Sequence, residues 1–325
     1  MHPAFSVIFL TTLIGAGQGL FLALFTVESY AAFGLLPMPD DGFYACGSAV
    51  ALALLALGLL ASFFHLGHPE RAWRAATQWR TSWLSREVIV LPAFMGLLFF
   101  YGLAHWADFN PQLAELPSGT PVNVTAILGT LGTALAFALF VCTAMIYASL
   151  RFLREWHTPL TVINYTLLGG ASGFTLAAAL SAGAAPAVTA FLVGWAIILT
   201  CLGFIGRIAT LIRNCKLKPK STLQSAIGIK HPRIVQKSQG FMGGAFNTRE
   251  FFHGQTRLVL RSIKWFFLLA AFAVPLAMLG GSLAAPATAG LAAAFAIQYL
   301  GLLAERWYFF AQANHPQNLY YQAAS

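Results

Sequence analysis

The residues best suited to chemistry lie in one stretch, Phe64 to Glu87, FHLGHPERAWRAATQWRTSWLSRE, which sets two histidines, four arginines and two glutamates between two long apolar runs. The apolar run before it, 43–64, ends directly on His65, and the run after it begins at Val88, one residue past Glu87. If both runs are membrane helices, His65 and Glu87 face each other at one membrane surface. A neutral imidazole beside a carboxylate at the edge of the hydrocarbon can hydrogen-bond and exchange protons with a small amphipathic ligand such as a quinone. The same residue types also anchor helix ends, and a short basic loop often does no more than set topology, so both readings stand at this point.

Two further positions belong beside this stretch. Glu305 and Arg306 fall late in the last apolar run, on the same side as His65 and Glu87, so that three runs contribute polar groups to one layer. With Arg86, they are candidates for orienting a head group or a carboxylate. Glu28, near the far end of the first run, is an intramembrane carboxylate and a candidate for a proton path, although its depth lets it reach the opposite interface. Gly15, Gly17 and Gly19 in that run, and the GGASG segment at 169–173, read as close-packing positions between helices.

The elements that must position these groups are membrane helices. Only 9% of the 325 residues are charged and 58% are hydrophobic, against about a quarter charged in soluble domains, which excludes a soluble globular protein. Eight runs are long enough to cross a core of about 30 Å at about 1.5 Å per residue: 6–33, 43–64, 88–106, 122–150, 160–182, 187–205, 265–283 and 287–310. The first has no basic flank and exceeds a signal-peptide core, so it reads as a retained helix. The expected architecture is an all-α integral membrane protein forming a single eight-helix domain over 1–325, with a long basic loop at 207–264.

A net charge of +9 could point to nucleic acid, but the distribution answers a different question. Counting loops from the N-terminus, all 19 Lys and Arg fall on one side, while the other side holds Asp40, Asp41, Asp108 and Glu115. The positive-inside rule makes the basic loops and both termini cytoplasmic and leaves no nucleic-acid partner to invoke. The basic 207–264 loop, too long for an idle connection, is a candidate docking platform, with anionic lipid as the alternative contact. Trp73, Trp79 and Trp83 among arginines suggest a short interfacial helix lying over the His65 and Glu87 ends.

Other chemistries find little support. No histidine sits in the middle of a run, so a bound haem is not expected; His65 and His105 end at opposite faces. Cys46, Cys142, Cys201 and Cys215 are single and lack iron–sulfur or zinc spacing, which puts any cluster in another subunit. A proton-coupled secondary transporter is the rival class. Transporters carry their polar groups near the midplane, whereas here they crowd at one surface.

Taken together, H-L-G-x-P at His65 to Pro69, Arg71 and Ala72, L-S-x-E at Leu84 to Glu87, and A-E-R-W-Y-F-F around Glu305 and Arg306 resemble a known family over essentially the whole chain. It is the integral membrane anchor subunit of dimethyl sulfoxide reductase and of its relative, quinone-dependent sulfite dehydrogenase. The resemblance implies a haem-free subunit that binds quinone (menaquinone or ubiquinone) in the cytoplasmic membrane and anchors an iron–sulfur subunit and a molybdopterin catalytic subunit. His65 matches the family histidine implicated in quinol binding, and Glu87 matches its acidic neighbour. The long basic loop and the C-terminal NHPQNLYYQ look more like the sulfite dehydrogenase anchor, whose catalytic subunits are cytoplasmic. The molybdenum chemistry, and with it the direction of electron flow, would reside in the partners.

The charge asymmetry yields the first test. A reporter fused after Ser325 should be active only when it is of the kind that works in the cytoplasm; activity confined to an exported reporter would refute the assigned topology.

Overall fold

The computed structural model describes residues 1–115, 117, 119–218, 221–235, 237–238 and 250–320. Among the described residues, eight helices are long and apolar enough to cross a membrane: α1 (Phe5–Ala32), α2 (Asp41–Phe63), α3 (Trp83–Trp106), α4 (Val124–Ala148), α5 (Pro159–Ala184), α6 (Pro186–Cys215), α7 (Arg257–Ser282) and α8 (Thr288–Ala311). Local chemistry sets the starts. Asp40, Ser82, Thr158 and Thr256 each accept a bond from a backbone N–H in the first turn, capping α2, α3, α5 and α7. The Ser82 cap starts α3 five residues before the apolar run proper, which puts Arg86 and Glu87 inside the helix rather than in the loop.

One expectation is corrected here. The polar segment between α6 and α7 spans 216–256 rather than 207–264, because α6 continues to Cys215 and the Thr256 cap starts α7 two turns early. Arg207 is therefore a helix residue, and it is buried. Residues 219–220, 236 and 239–249, the middle of the candidate docking platform, lie outside the described residues, as do 321–325 of the C-terminal segment. Among the described residues the fold is all-α, with one short hairpin between its helices. Between α3 and α4, strands β1 (Gln112–Glu115) and β2 (Pro121–Asn123) pair antiparallel, with Gln112 opposite Asn123. The Trp- and Arg-rich segment is a 3₁₀ helix at Pro69–Gln78, in agreement with a short helix between α2 and α3.

Helix α1 runs through the middle of the bundle, packed by α2, α4, α5 and α8. Its contact with α5 is a seam of glycines. A Cβ on Gly173 would overlap the backbone of Gly19, and one on Gly19 would overlap the carbonyl of Gly169. Lipid tails are as apolar as leucine, so helices in a bilayer gain by close van der Waals approach rather than by hydrophobic burial, and small residues permit it. Pro275 shapes α7 in another way. It has no N–H to give the carbonyl one turn back at Ala271, and the helix widens to a π turn at Leu269–Ala273. Gln298 of α8 donates its amide to that carbonyl at 3.5 Å and to Thr200 Oγ1 of α6 at 3.0 Å. A backbone group freed inside the bilayer is thus answered from a neighbouring helix.

The start of the chain meets the end of α8 on the face that carries the basic residues: the Met1 amine donates to the Ala313 carbonyl at 2.7 Å. Burial lowers the pKa of this amine to about 6.

The glycine seam is testable by overpacking. Gly173→Leu drives a side chain into the α1 backbone and should cost at least about 1–3 kcal/mol. Gly194→Ala, where no atom lies within 4 Å of the new Cβ, should leave the melting temperature in detergent unchanged or raised.

Candidate functional site

The basic end of the bundle holds a buried charged layer. Glu305 and Arg306 lie in the last two turns of α8 at 2% and 5% exposure, and Arg207 of α6 at 1%. Arg207 Nε stands 2.8 Å from Glu305 Oε1, and Arg306 Nε stands 3.9 Å from Glu305 Oε2. The Arg306 guanidinium lies over the Tyr165 ring of α5 at 3.7 Å, and that of Arg207 over Phe267 of α7 at 5.4 Å. Arg207 Nη2, Arg306 Nε and Glu305 Oε2 have no hydrogen-bond partner among the described residues. One carboxylate between two guanidinium groups leaves an excess positive charge in a low-dielectric setting. Such a group persists only where packing fixes it.

Glu87 belongs to the same end. It is buried one turn into α3, where its Oε1 accepts from Thr143 Oγ1 of α4 at 2.5 Å. Thr143, Tyr165 and Arg306 in turn line one internal cavity of about 20 Å³, together with Thr12, Gln18 and Ser172. That volume suits a single water and is far too small for an aromatic ring. The cavity joins the Glu87 pair to the α8 charges through polar side chains of neighbouring helices.

His65 sits apart from this layer. It follows α2 by two residues, and its ring is exposed with no hydrogen bond to Glu87 or to any other described side chain. The expectation that His65 and Glu87 face each other is therefore corrected. Glu87 turns inward to α4, while the chain after Phe63 leaves the helix and turns into the 3₁₀ segment. Partial desolvation moves the His65 imidazole below its ordinary value, which keeps it neutral near pH 7. Arg86 is occupied as well. Its guanidinium donates to the carbonyls of Trp79 and Arg80 at 2.9 Å each and stacks on Trp83 at 4.2 Å, closing the end of the 3₁₀ segment. Of the five candidate residues, the structure brings together Glu305 and Arg306, sets Glu87 across a small cavity from Arg306, and leaves His65 and Arg86 on the surface.

Sequence reasoning passed over Arg207, whose place at the end of an apolar run made it look like the first residue of a loop. The signal was present in its neighbour in space: a carboxylate at Glu305 needs more than the adjacent arginine, and Arg207 lies only two residues past an apolar run on the same face. It also passed over the partners of Glu28. This carboxylate is buried in α1, accepts from Tyr101 of α3 at 2.6 Å and from Thr125 of α4 at 2.5 Å, and stands 3.7 Å from His105 Nε2. His105 closes α3 on the face opposite His65, at the depth of Glu28, and that shared depth was readable.

The charged layer makes an ordered prediction. Glu305→Gln leaves two buried guanidinium groups uncompensated and should destabilise by about 3–5 kcal/mol, the range for breaking a buried pair. Arg207→Met leaves Glu305 with Arg306, a neutral pair, and should cost less. Thermal melting of both purified variants tests the order.

Comparison with known proteins bears on the chain as a whole. A family model for the DMSO reductase anchor subunit (DmsC) matches residues 1–274. Over 325 residues, all of both chains, the sequence is 57% identical to the C subunit of sulfite dehydrogenase from Allochromatium vinosum. Eight membrane-length helices, buried ionisable groups gathered near the bundle ends, and these two matches agree: the chain belongs to the DMSO reductase anchor subunit family and is a membrane anchor subunit of a molybdopterin enzyme.

Proposed function

We propose that this chain is the quinone-binding anchor of a quinone-dependent sulfite dehydrogenase, passing electrons between an iron–sulfur subunit and the quinone pool. The observation that carries this reading is the 57% identity, over the full length of both chains, to the C subunit of a sulfite dehydrogenase. A dimethyl sulfoxide reductase complex is the second reading, favoured by the family match. A proton-coupled transporter is disfavoured, because the buried ionisable groups gather near the helix ends rather than at the midplane.

The partners, an iron–sulfur subunit and a molybdopterin catalytic subunit, would sit on the basic face, cytoplasmic by the positive-inside rule, with the chain in the cytoplasmic membrane. A groove of about 580 Å³ on that face, lined by Arg154, Glu155, Lys218, Asn314 and His315, supports docking there. Arg213 of α6 holds the 154–157 turn in place by donating to the Arg154 carbonyl at 3.0 Å.

In this proposal His65 meets the quinone head group. Its ring is exposed, neutral and without a hydrogen bond to the described residues, which fits a residue whose partner comes from outside the chain. The pocket around it would be completed by the iron–sulfur subunit. Glu87 and the Glu305–Arg306 pair would act from behind, as the electrostatic floor of the site. Arg86 would hold the 3₁₀ segment above it. Reduction of a quinone takes two electrons and two protons, and an imidazole near its own pKa can pass protons in either direction.

His65→Arg keeps polarity but removes the neutral, proton-exchanging state. The complex should assemble and turn over with a soluble artificial electron carrier, while quinone-coupled turnover falls by about 10² or more. Near-normal quinone-coupled turnover, or joint loss of both activities through failed assembly, would show that His65 is structural.

A further inference from the structure

The face opposite the basic loops holds a cavity of about 530 Å³, within the range of small-molecule sites. It lies between the end of α1, the start of α4 and the β1–β2 hairpin, whose Thr120, Pro121, Val122 and Asn123 form one wall. Its mouth is apolar and borders the lipid: Phe33, Ile127 and Leu131 are exposed on the outside of the bundle and line the cavity. Its inner end is the cluster of Glu28, Asp41, His105 and Thr125.

That inner end is built. His105 is 3% exposed at its side chain, its Nδ1 pairs with Asp41 Oδ1 at 2.5 Å, and Tyr44 stacks on it at 4.5 Å between ring centroids. Tyr101 meets it edge-on at 4.8 Å, so the imidazole is fixed in plane and direction. Its Nε2 has no hydrogen-bond partner among the described residues. Asp41 accepts from Nδ1, and Nε2, 3.7 Å from Glu28 Oε1 and beyond hydrogen-bond distance of it, can accept as a neutral ring or donate as a protonated one.

The charges select the class of ligand. Two carboxylates against one imidazole repel a phosphate, so an anionic lipid head group does not suit the site. A metal cation does not suit it either, because among the described residues no three ligating side chains converge to hold one. A neutral, lipid-soluble ring bearing hydroxyl or carbonyl oxygens does. A hydroquinone hydroxyl can donate to Nε2, a quinone carbonyl can accept from it, and the apolar mouth suits the ring and its hydrocarbon tail.

We propose that the Glu28–Asp41–His105 cavity is a second binding site for a quinone or hydroquinone ring, entered from the lipid on the face opposite His65. It rests on the quinone reading for the identity of the ligand, but not on His65 as its location. No electron transfer is assigned to this face, which lies a full membrane span from the basic one.

The test is equilibrium binding of decylubiquinone to the purified full complex. Wild type should bind two equivalents. Leu131→Trp, a change at the lipid-exposed mouth that spares the fold, and Ala126→Phe, which fills the cavity wall, should each weaken one equivalent by about tenfold or more and leave the other intact. His65→Arg should remove the equivalent that the two cavity variants leave. If both cavity variants bind like wild type, or if Leu131→Trp does so while Ala126→Phe fails to fold, the second site does not exist. If wild type binds one equivalent, lost in Leu131→Trp and kept in His65→Arg, the cavity stands and the His65 reading falls.

Discussion

The arrangement of this bundle depends on keeping Glu305 and its two guanidinium neighbours inside the protein. Arg207 reaches it from α6, Arg306 follows it on α8, Tyr165 of α5 covers Arg306, and Phe267 of α7 underlies Arg207. A charge facing lipid is expensive, so these helix ends stay together at the basic face. The same pressure explains Glu87, which turns to Thr143 of α4 rather than outward to His65. Polar pairing at this end joins helices that the apolar middle could bring together in several ways.

The middle of the bundle works by a different principle. Glycines at 19, 169 and 173 let α1 and α5 touch backbone to backbone, and Gly301 of α8 gives way to the π turn of α7 at Ala270 and Ala271. Ser172 and Thr175 bond back to their own helix at 3.0 and 2.9 Å, which satisfies their hydroxyls without demanding a partner. Apart from Gln18 and Gln298, whose amides reach carbonyls of other helices, the seam is small and apolar. Ionisable groups are thus divided between the two ends, one set rich in arginine, the other in carboxylates around one histidine. This division favours an anchor that meets partners and ligands at its surfaces over a carrier with a site halfway across.

Chemistry at the two ends differs accordingly. At the basic face, the buried charges are held by one another, and His65 lies outside them on a turn. At the opposite face, the imidazole is enclosed and aligned by Asp41, Tyr44 and Tyr101, with a cavity already beside it.

The sequence by itself determined the eight spans, the face on which every basic residue ends and the glycines of the central seam. These are properties of run length, charge sign and side-chain size, which act locally and survive any packing. It also marked Glu28 and Glu305 as costly, because a carboxylate in an apolar run is costly wherever the run lies, and set Glu87 at the edge of one. Only the tertiary structure decided which donor answers each of them: Tyr101 and Thr125 for Glu28, Thr143 for Glu87, Arg207 for Glu305. Those choices depend on helix rotation and neighbour order, which residue spacing within one helix does not encode. His65 and Glu87, close in sequence pattern, part for that reason. His105 and Glu28 are 77 positions apart, and they meet because α1 and α3 present them at the same depth to a shared interior.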